Sequence, residues 1–251
     1  MSTLRSLCVP LLALSLIACG SDPPLPSPSP VVPSLEVYTG QLNPGGSQEF
    51  LFSLDGASTV QVMLAGVVTS NPLQSLSPTL RLELATWNGS GCDTRSAIDV
   101  APRFKARLQL YLNPGAYCAR VSDIGELTQP VAVAVRVVAP ALLSVDGEPG
   151  SRTFSSTITS RGSASTTFVA SRPGRVTISL DSVSETVEMA LALGLPDGDG
   201  RGCNYGEIVR TTAGGGPHID TEVDAGYYCA AVIDVGNLTA PATFSLTATH
   251  P

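Results

Sequence analysis

The sequence predicts an all-β protein of two tandem antiparallel β-sandwich domains, each holding one disulfide. Three observations predict it: a segment near the middle recurs near the end, apolar and polar residues alternate with a period of two in both copies, and four cysteines fall into equally spaced pairs. Residues 115–130 read GAYCARVSDIGELTQP and residues 226–241 read GYYCAAVIDVGNLTAP, identical at ten of 16 positions at a constant offset of 111.

Composition narrows the class. Of 251 residues, 43% are apolar and only 14% charged, against about a quarter charged in a typical soluble domain. With 24 Gly and 20 Pro, the chain favours turns over long helices. Fourteen Lys plus Arg against 21 Asp plus Glu leave a net charge of −7, which argues against a nucleic-acid or anionic-membrane surface, since both need clustered positive charge. His218 and His250 are the two histidines, so a multi-histidine metal site is excluded.

The first element, residues 1–18, is an address. Arg5 supplies a positive start, and Leu7 to Ile17 form an apolar run of signal-peptide length, too short for an ordinary membrane span. It ends Leu16-Ile17-Ala18-Cys19, which resembles the lipobox of bacterial lipoproteins. The resemblance implies that Cys19 becomes the first mature residue and carries lipid. Residues 19–33 form a tether: the stretch from Gly20 to Pro33 contains six prolines, Pro33 included, and alternating Ser-Pro favours extended polyproline II at ~3 Å per residue. Gly20 stands where an inner-membrane retention signal would have Asp, so the expected address is the outer membrane or cell surface.

Repeat 1 spans 34–140 and repeat 2 spans 141–251. The offset of 111 also matches Leu80, Leu82 and Leu84 with Leu191, Leu193 and Leu195, and Cys92 with Cys203. Upstream the offset is 116, pairing Phe52 with Phe168 and Val60, Val62 and Leu64 with Val176, Ile178 and Leu180. A five-residue surface-loop insertion between Leu64 and Leu80 accounts for the difference, because loop length adds little closure entropy. Within each copy the pattern gives about eight strands. Phe104, Ala106, Leu108, Leu110 and Leu112 alternate with polar residues and predict one strand over 103–112. Val131, Val133, Val135 and Val137 form another β-branched run.

The cysteines follow. Cys92 and Cys118 are 26 residues apart, as are Cys203 and Cys229. Four cysteines allow three connectivities, and the duplication favours one bridge per copy, contributing about 3 kcal/mol by loop closure in an oxidising compartment. Tyr117, Ala119 and Val121 form the core-facing parity, so Cys118 points outward. The bridge is expected to pin a long loop to the outer face of a strand, unlike the inter-sheet bridge of immunoglobulin domains.

Gly115, Tyr117, Val121, Asp123 and Gly125, repeated as Gly226, Tyr228, Val232, Asp234 and Gly236, resemble the late signature of bacterial pre-peptidase C-terminal domains. Phe50-Leu51-Phe52 and Thr167-Phe168-Val169 are similar to that family's early aromatic strand. The resemblance covers residues 35–251 and implies jelly-roll-like sandwiches appended to secreted peptidases and other surface proteins. The cysteine pair departs from the family pattern.

The search for chemistry finds no nucleophile elbow, zinc-protease motif or Walker sequence. A serine hydrolase needs a histidine base; His218 lies on a polar strand parity and His250 is penultimate. Gly198-x-Gly200-x-Gly202 lacks the helix that would make it a phosphate loop. Asp197 and Asp199 are a candidate calcium pair, since calcium takes six to eight oxygens, although Asp-Gly also builds ordinary turns. Asp123 and Asp234 are expected to brace turns. Trp87, on an outward parity beside a glycine loop, and Tyr205, in the matching loop, are candidate sugar-stacking rings or covers for the disulfides. The chain thus reads as a non-catalytic envelope protein with binding or display modules for a glycan or surface protein. The alternative is an accessory or inhibitory partner of a secreted peptidase. No cofactor is expected apart from the calcium ion weighed for Asp197 and Asp199.

Overall fold

A computed structural model describes residues 34–70, 73–139, 149–197 and 202–251. Among them every extended regular element is a strand, as the period-two alternation predicts. In repeat 1 one sheet is ordered β1 (Ser34–Leu42), β9 (Val131–Ala139), β3 (Ser58–Ser70) and β4 (Leu73–Ser75), with β7 (Leu108–Leu112) also on β3. The facing sheet is β2 (Ser47–Leu54), β8 (Gly115–Asp123), β5 (Leu80–Trp87) and β6 (Cys92–Val100). Repeat 2 repeats the plan. β10 (Gly150–Ile158), β17 (Ala242–His250), β12 (Gly174–Val183) and β15 (Ile219–Val223) face β11 (Ser163–Ala170), β16 (Gly226–Ile233), β13 (Met189–Pro196) and β14 (Cys203–Thr211). All pairings are antiparallel.

Each core is the set of inward parities. Val60, Val62 and Leu64 meet Leu80, Leu82 and Leu84 in repeat 1, and Val176, Ile178 and Leu180 meet Leu191 and Leu193 in repeat 2. Each such side chain contributes about 1.5–3 kcal/mol by leaving water. Phe52 stacks on Tyr117 at 5.8 Å, and Phe168 on Tyr228 at 6.0 Å. Both tyrosines donate back to a carbonyl four residues upstream, Tyr117 to Asn113 at 2.7 Å and Tyr228 to Asp224 at 2.8 Å. That bond satisfies each buried hydroxyl.

The β9 strand is buried on both faces, and so is β13. The sheet containing β9 packs outward against the sheet containing β13, giving four layers in which two sheets are internal. Their contact is close. A side chain on Gly66 would meet the Gly206 Cα at 2.2 Å, and one on Gly206 would meet the Phe104 ring at 2.5 Å. Val68, Ala190, Ala192, Ile208, Ala231 and Ile233 form a separate apolar cluster there.

Three details depart from expectation. The predicted strand over 103–112 is strand only from Leu108; Phe104 leaves its own repeat and joins the core cluster of repeat 2. The strand pairing places Leu82 opposite Val121 but Leu191 opposite Val232, so Leu82 and Leu84 correspond to Leu191 and Leu193. The match of Leu80, Leu82 and Leu84 with Leu191, Leu193 and Leu195 is therefore slipped by two residues, a shift that leaves every side chain on its original face. The insertion after Leu64 is not a free loop: β3 runs to Ser70 and β4 pairs with it, and the Ser75 hydroxyl reaches the Ile208 carbonyl of repeat 2 at 3.3 Å.

Candidate functional site

The bridges join Cys92 to Cys118 and Cys203 to Cys229, with Cα separations of 6.2 and 5.8 Å. Each runs between two strands of one sheet, β6 to β8 and β14 to β16, across the strand between them. It does not pin a loop. Ala85 lies opposite Cys118, and Gly194 lies opposite Cys229. Small residues are required under the sulfurs: a side chain on Gly194 would meet the Cys203 Sγ at 3.0 Å and the Asn204 carbonyl oxygen at 2.3 Å.

The bridge of each repeat fixes a hairpin. In repeat 1 Trp87 pairs with Cys92 at the hairpin's base. Asn88 closes the turn, its Oδ1 accepting from the Ser90 and Gly91 amides at 2.9 Å each. Gly89 takes φ 96°, a conformation that glycine adopts without Cβ strain. In repeat 2 Asp197 does the same work, accepting from the Gly202 amide at 2.8 Å while its own amide donates to the Gly202 carbonyl at 3.2 Å. Of the candidate calcium pair, Asp197 thus closes a turn, and Asp199 lies outside the described residues, as does Cys19.

Trp87 is half-buried on the outward parity, on a sheet face laced with charge. Arg120 sits between Glu49 at 3.1 Å and Glu83 at 3.3 Å, and the Thr94 hydroxyl donates to Glu83 at 2.9 Å. Arg81 meets Asp99 at 2.8 Å, and the guanidinium's hydrogen bond holds the Asp99 carboxyl below its ordinary range. This face joins an aromatic edge to polar side chains already oriented by ion pairs. Such a mixture suits a polar, ring-bearing ligand.

Tyr205 is not its counterpart. It lies within β14, where the register equates it with Thr94. Its ring lines a groove of about 330 Å³ between the two internal sheets, with Val68, Leu73, Ala134 and Cys203. The two rings occupy different positions on the repeat frame and do not form a duplicated platform.

The remaining candidates are structural in their contacts. Asp123 Oδ1 accepts from the amides of Gly125, Glu126 and Leu127, and its Oδ2 from Gly45. Asp234 repeats the pattern with Gly236, Asn237, Leu238 and Arg161. His218 accepts from the Leu180 amide at Nδ1, and its Nε2 lies 3.0 Å from the Gly214 carbonyl, so the ring is held between two backbone groups. His250 stacks on Phe168 at 5.4 Å, and burial lowers its pKa.

Sequence reasoning missed the residues that join the repeats: Phe104, Arg136 and the Gly66–Gly206 approach. The run Val131–Ala139 carried one signal, because an almost unbroken apolar strand marks burial on both faces.

No family model matches the chain, and no curated protein does. Among solved structures, the PBSX exported protein XepA is 12% identical, with 86% of each chain covered, at a TM-score of 0.32. A structure of Sulfolobus Turreted Icosahedral Virus is 10% identical, covering 87% of this chain and 92% of that one, at a TM-score of 0.28. Scores this low carry no inference about function.

Proposed function

We propose that this chain is a lipid-anchored, non-catalytic protein of the bacterial outer membrane or cell surface, whose two-repeat body presents a binding surface for an envelope glycan or surface protein. The observation that carries the binding site is the Trp87 hairpin, closed by Asn88, held by the Cys92–Cys118 bridge and set on the ion-paired face of β5, β8 and β6. Loops on a rigid scaffold are where function concentrates, and a hairpin whose base strands are crosslinked loses less entropy on binding. Two disulfides support an exported protein. The engagement of both His218 nitrogens with backbone favours binding over histidine-assisted hydrolysis.

The address is tested by labelling with a clickable palmitate: wild type is marked, and Cys19→Ala is neither marked nor retained in the membrane fraction. The site is tested on an array of cell-wall and capsular glycans and envelope proteins. Stacking contacts are worth about 1 kcal/mol, so Trp87→Ala weakens binding severalfold while the protein stays folded. Unchanged binding by a folded Trp87→Ala protein removes the site. The alternative, an accessory or inhibitory partner of a secreted peptidase, draws on the glycine–tyrosine signature shared by both repeats and predicts a peptidase among the retained proteins.

A further inference from the structure

The segment Arg103–Arg107 of repeat 1 and its counterpart Gly214–His218 in repeat 2 are anchored identically. Arg103 donates its amide to the Leu64 carbonyl and Arg107 to Val62, at 2.9 and 3.0 Å; Gly214 donates to Leu180 and His218 to Ile178, at 2.8 and 2.9 Å. Between the anchors the two differ. Repeat 2 has Gly215-Gly216-Pro217, with Gly214, Gly215 and Gly216 all at positive φ. Repeat 1 has Phe104-Lys105-Ala106, and all three residues grip repeat 2. Phe104 is 2% exposed and lies edge-on to Tyr228 at 5.8 Å, inside repeat 2's core cluster. Its carbonyl accepts from the Asp224 amide at 2.8 Å, and the Ala106 amide donates to the Asp224 carboxylate at 2.6 Å. Lys105 meets Glu222 at 3.3 Å.

Asp224 is also the residue whose carbonyl accepts the Tyr228 hydroxyl. The segment therefore supports the corner of repeat 2 that sets its central strand. Arg136, 3% exposed, adds a second tie by lying 5.3 Å over the Tyr228 ring, a cation–π contact strengthened by desolvation. The corresponding corner residue of repeat 1, Asn113, is exposed, and no contact from repeat 2 to it appears among the hydrogen bonds described.

We infer that Arg103–Arg107 is a clasp that makes the two repeats a single cooperative folding unit, with repeat 2 completed by repeat 1. This inference does not depend on the proposed function. It concerns the same chain as a mechanical object: a rigid body, not two beads on a string.

Trp87, the one tryptophan of the chain, reports on repeat 1 alone, which makes the coupling measurable. The experiment unfolds the exported chain in urea and follows Trp87 fluorescence and far-ultraviolet circular dichroism together. Leu193 is fully buried in the repeat 2 core, so Leu193→Ala, or Leu193→Val should the first variant not fold, destabilises repeat 2 directly. The expected result is that the Trp87 midpoint falls by the same urea concentration as the dichroism midpoint, with the two curves superimposed. With Phe104→Ala in the same chain, the curves separate and Leu193→Val no longer moves the Trp87 midpoint fully. If Leu193→Val lowers only the dichroism midpoint while Phe104 is intact, the repeats are independent and the inference fails. If the curves stay superimposed after Phe104→Ala, the junction is cooperative without the clasp, and the role given to Phe104 is wrong.

Discussion

The outward face of β5 and β8 in repeat 1 and the same face of β13 and β16 in repeat 2 share one frame and meet opposite surroundings. In repeat 1 the cross-strand pair is Glu83 with Arg120, and beside it Arg81 lies opposite Ser122. At the corresponding places repeat 2 has Ala192 with Ala231, and Ala190 opposite Ile233. The first set carries ion pairs on an outer face, where Arg81 is exposed, Arg120 and Ser122 are partly so, and Glu83 lies buried beneath its partners. The second is buried against β3 and β4 of repeat 1. Four side chains on an unchanged backbone thus decide whether a sheet face is a surface or an interface. The β6 and β14 strands show the same exchange at one bulge position: Arg95 in repeat 1, exposed, and Gly206 in repeat 2, buried against Phe104.

Transplanting a residue from one face to the other breaks the comparison most severely. Ala192→Glu places an unpaired carboxylate in the apolar seam, and an uncompensated buried charge costs about 3–5 kcal/mol. Denaturant titration should show a loss of that size, with the two repeats driven apart. The reverse exchange is mild. The Glu83→Ala/Arg120→Ala double variant removes both partners of a largely buried pair, so neither is left as an uncompensated charge opposite the other, and the loss should stay near about 1–2 kcal/mol.

A smaller effect separates the two turn aspartates. Both carboxyls sit below their ordinary range: Asp123 chiefly through the Gly45 amide, and Asp234 because four amides outweigh a burial that pushes the other way. Asp234 is 5% exposed, while Asp123 is half-buried. Hydrogen bonds to charged groups are worth about 1.5–3 kcal/mol, so Asp234→Ala should lose about 2–3 kcal/mol and Asp123→Ala less. A depressed carboxylate stabilises the fold above its unfolded pKa, about 4. That stability is lost as the pH falls through the folded value. Acid titration of wild type against Asp234→Asn reads it directly: the variant should show the shallower loss below pH ~4.

The chain's alternation was enough to give the all-β class and the inward and outward faces of its strands, and the equal cysteine spacing was enough to pair the bridges. What it hid follows from the same periodicity. A slip of two residues between Leu191 and Leu82 preserves every inward and outward assignment, so no parity argument detects it; only the paired strand and the longer turn at Asp197 reveal it. Phe104 and Ala106 continue the alternation of Leu108, Leu110 and Leu112, yet their partners belong to the other repeat, and local pattern does not record which core an apolar side chain enters. The substitution of Gly215-Gly216-Pro217 for Phe104-Lys105-Ala106 was the available sign. Tyr205 looked like a loop ring because it follows the glycine-rich turn so closely, yet β14 begins at Cys203 and the offset that pairs the cysteines already sets Tyr205 against Thr94.

The finest test of the comparison lies in the turn that each aspartate grips. Gly45 and Arg161 hold the same place, each donating its amide to the aspartate carboxylate at 2.7 Å. Both adopt left-handed backbone, at φ 67° and 58°. Gly45 does so freely, whereas Arg161 brings a Cβ into a region that costs about 1–2 kcal/mol for a residue with a side chain. The aspartate bond holds Arg161 there. Exchanging the two residues therefore moves stability in opposite directions: Arg161→Gly should gain about 1 kcal/mol, offset in part by the greater freedom of glycine in the unfolded chain. Gly45→Arg should lose a similar amount, with no added clash against neighbouring residues, because the space around a Cβ at Gly45 is open. Thermal unfolding of both variants measures the pair. A loss on Arg161→Gly would mean that the Arg161 side chain contributes more than its backbone strain removes, and that the two turns are not equivalent after all.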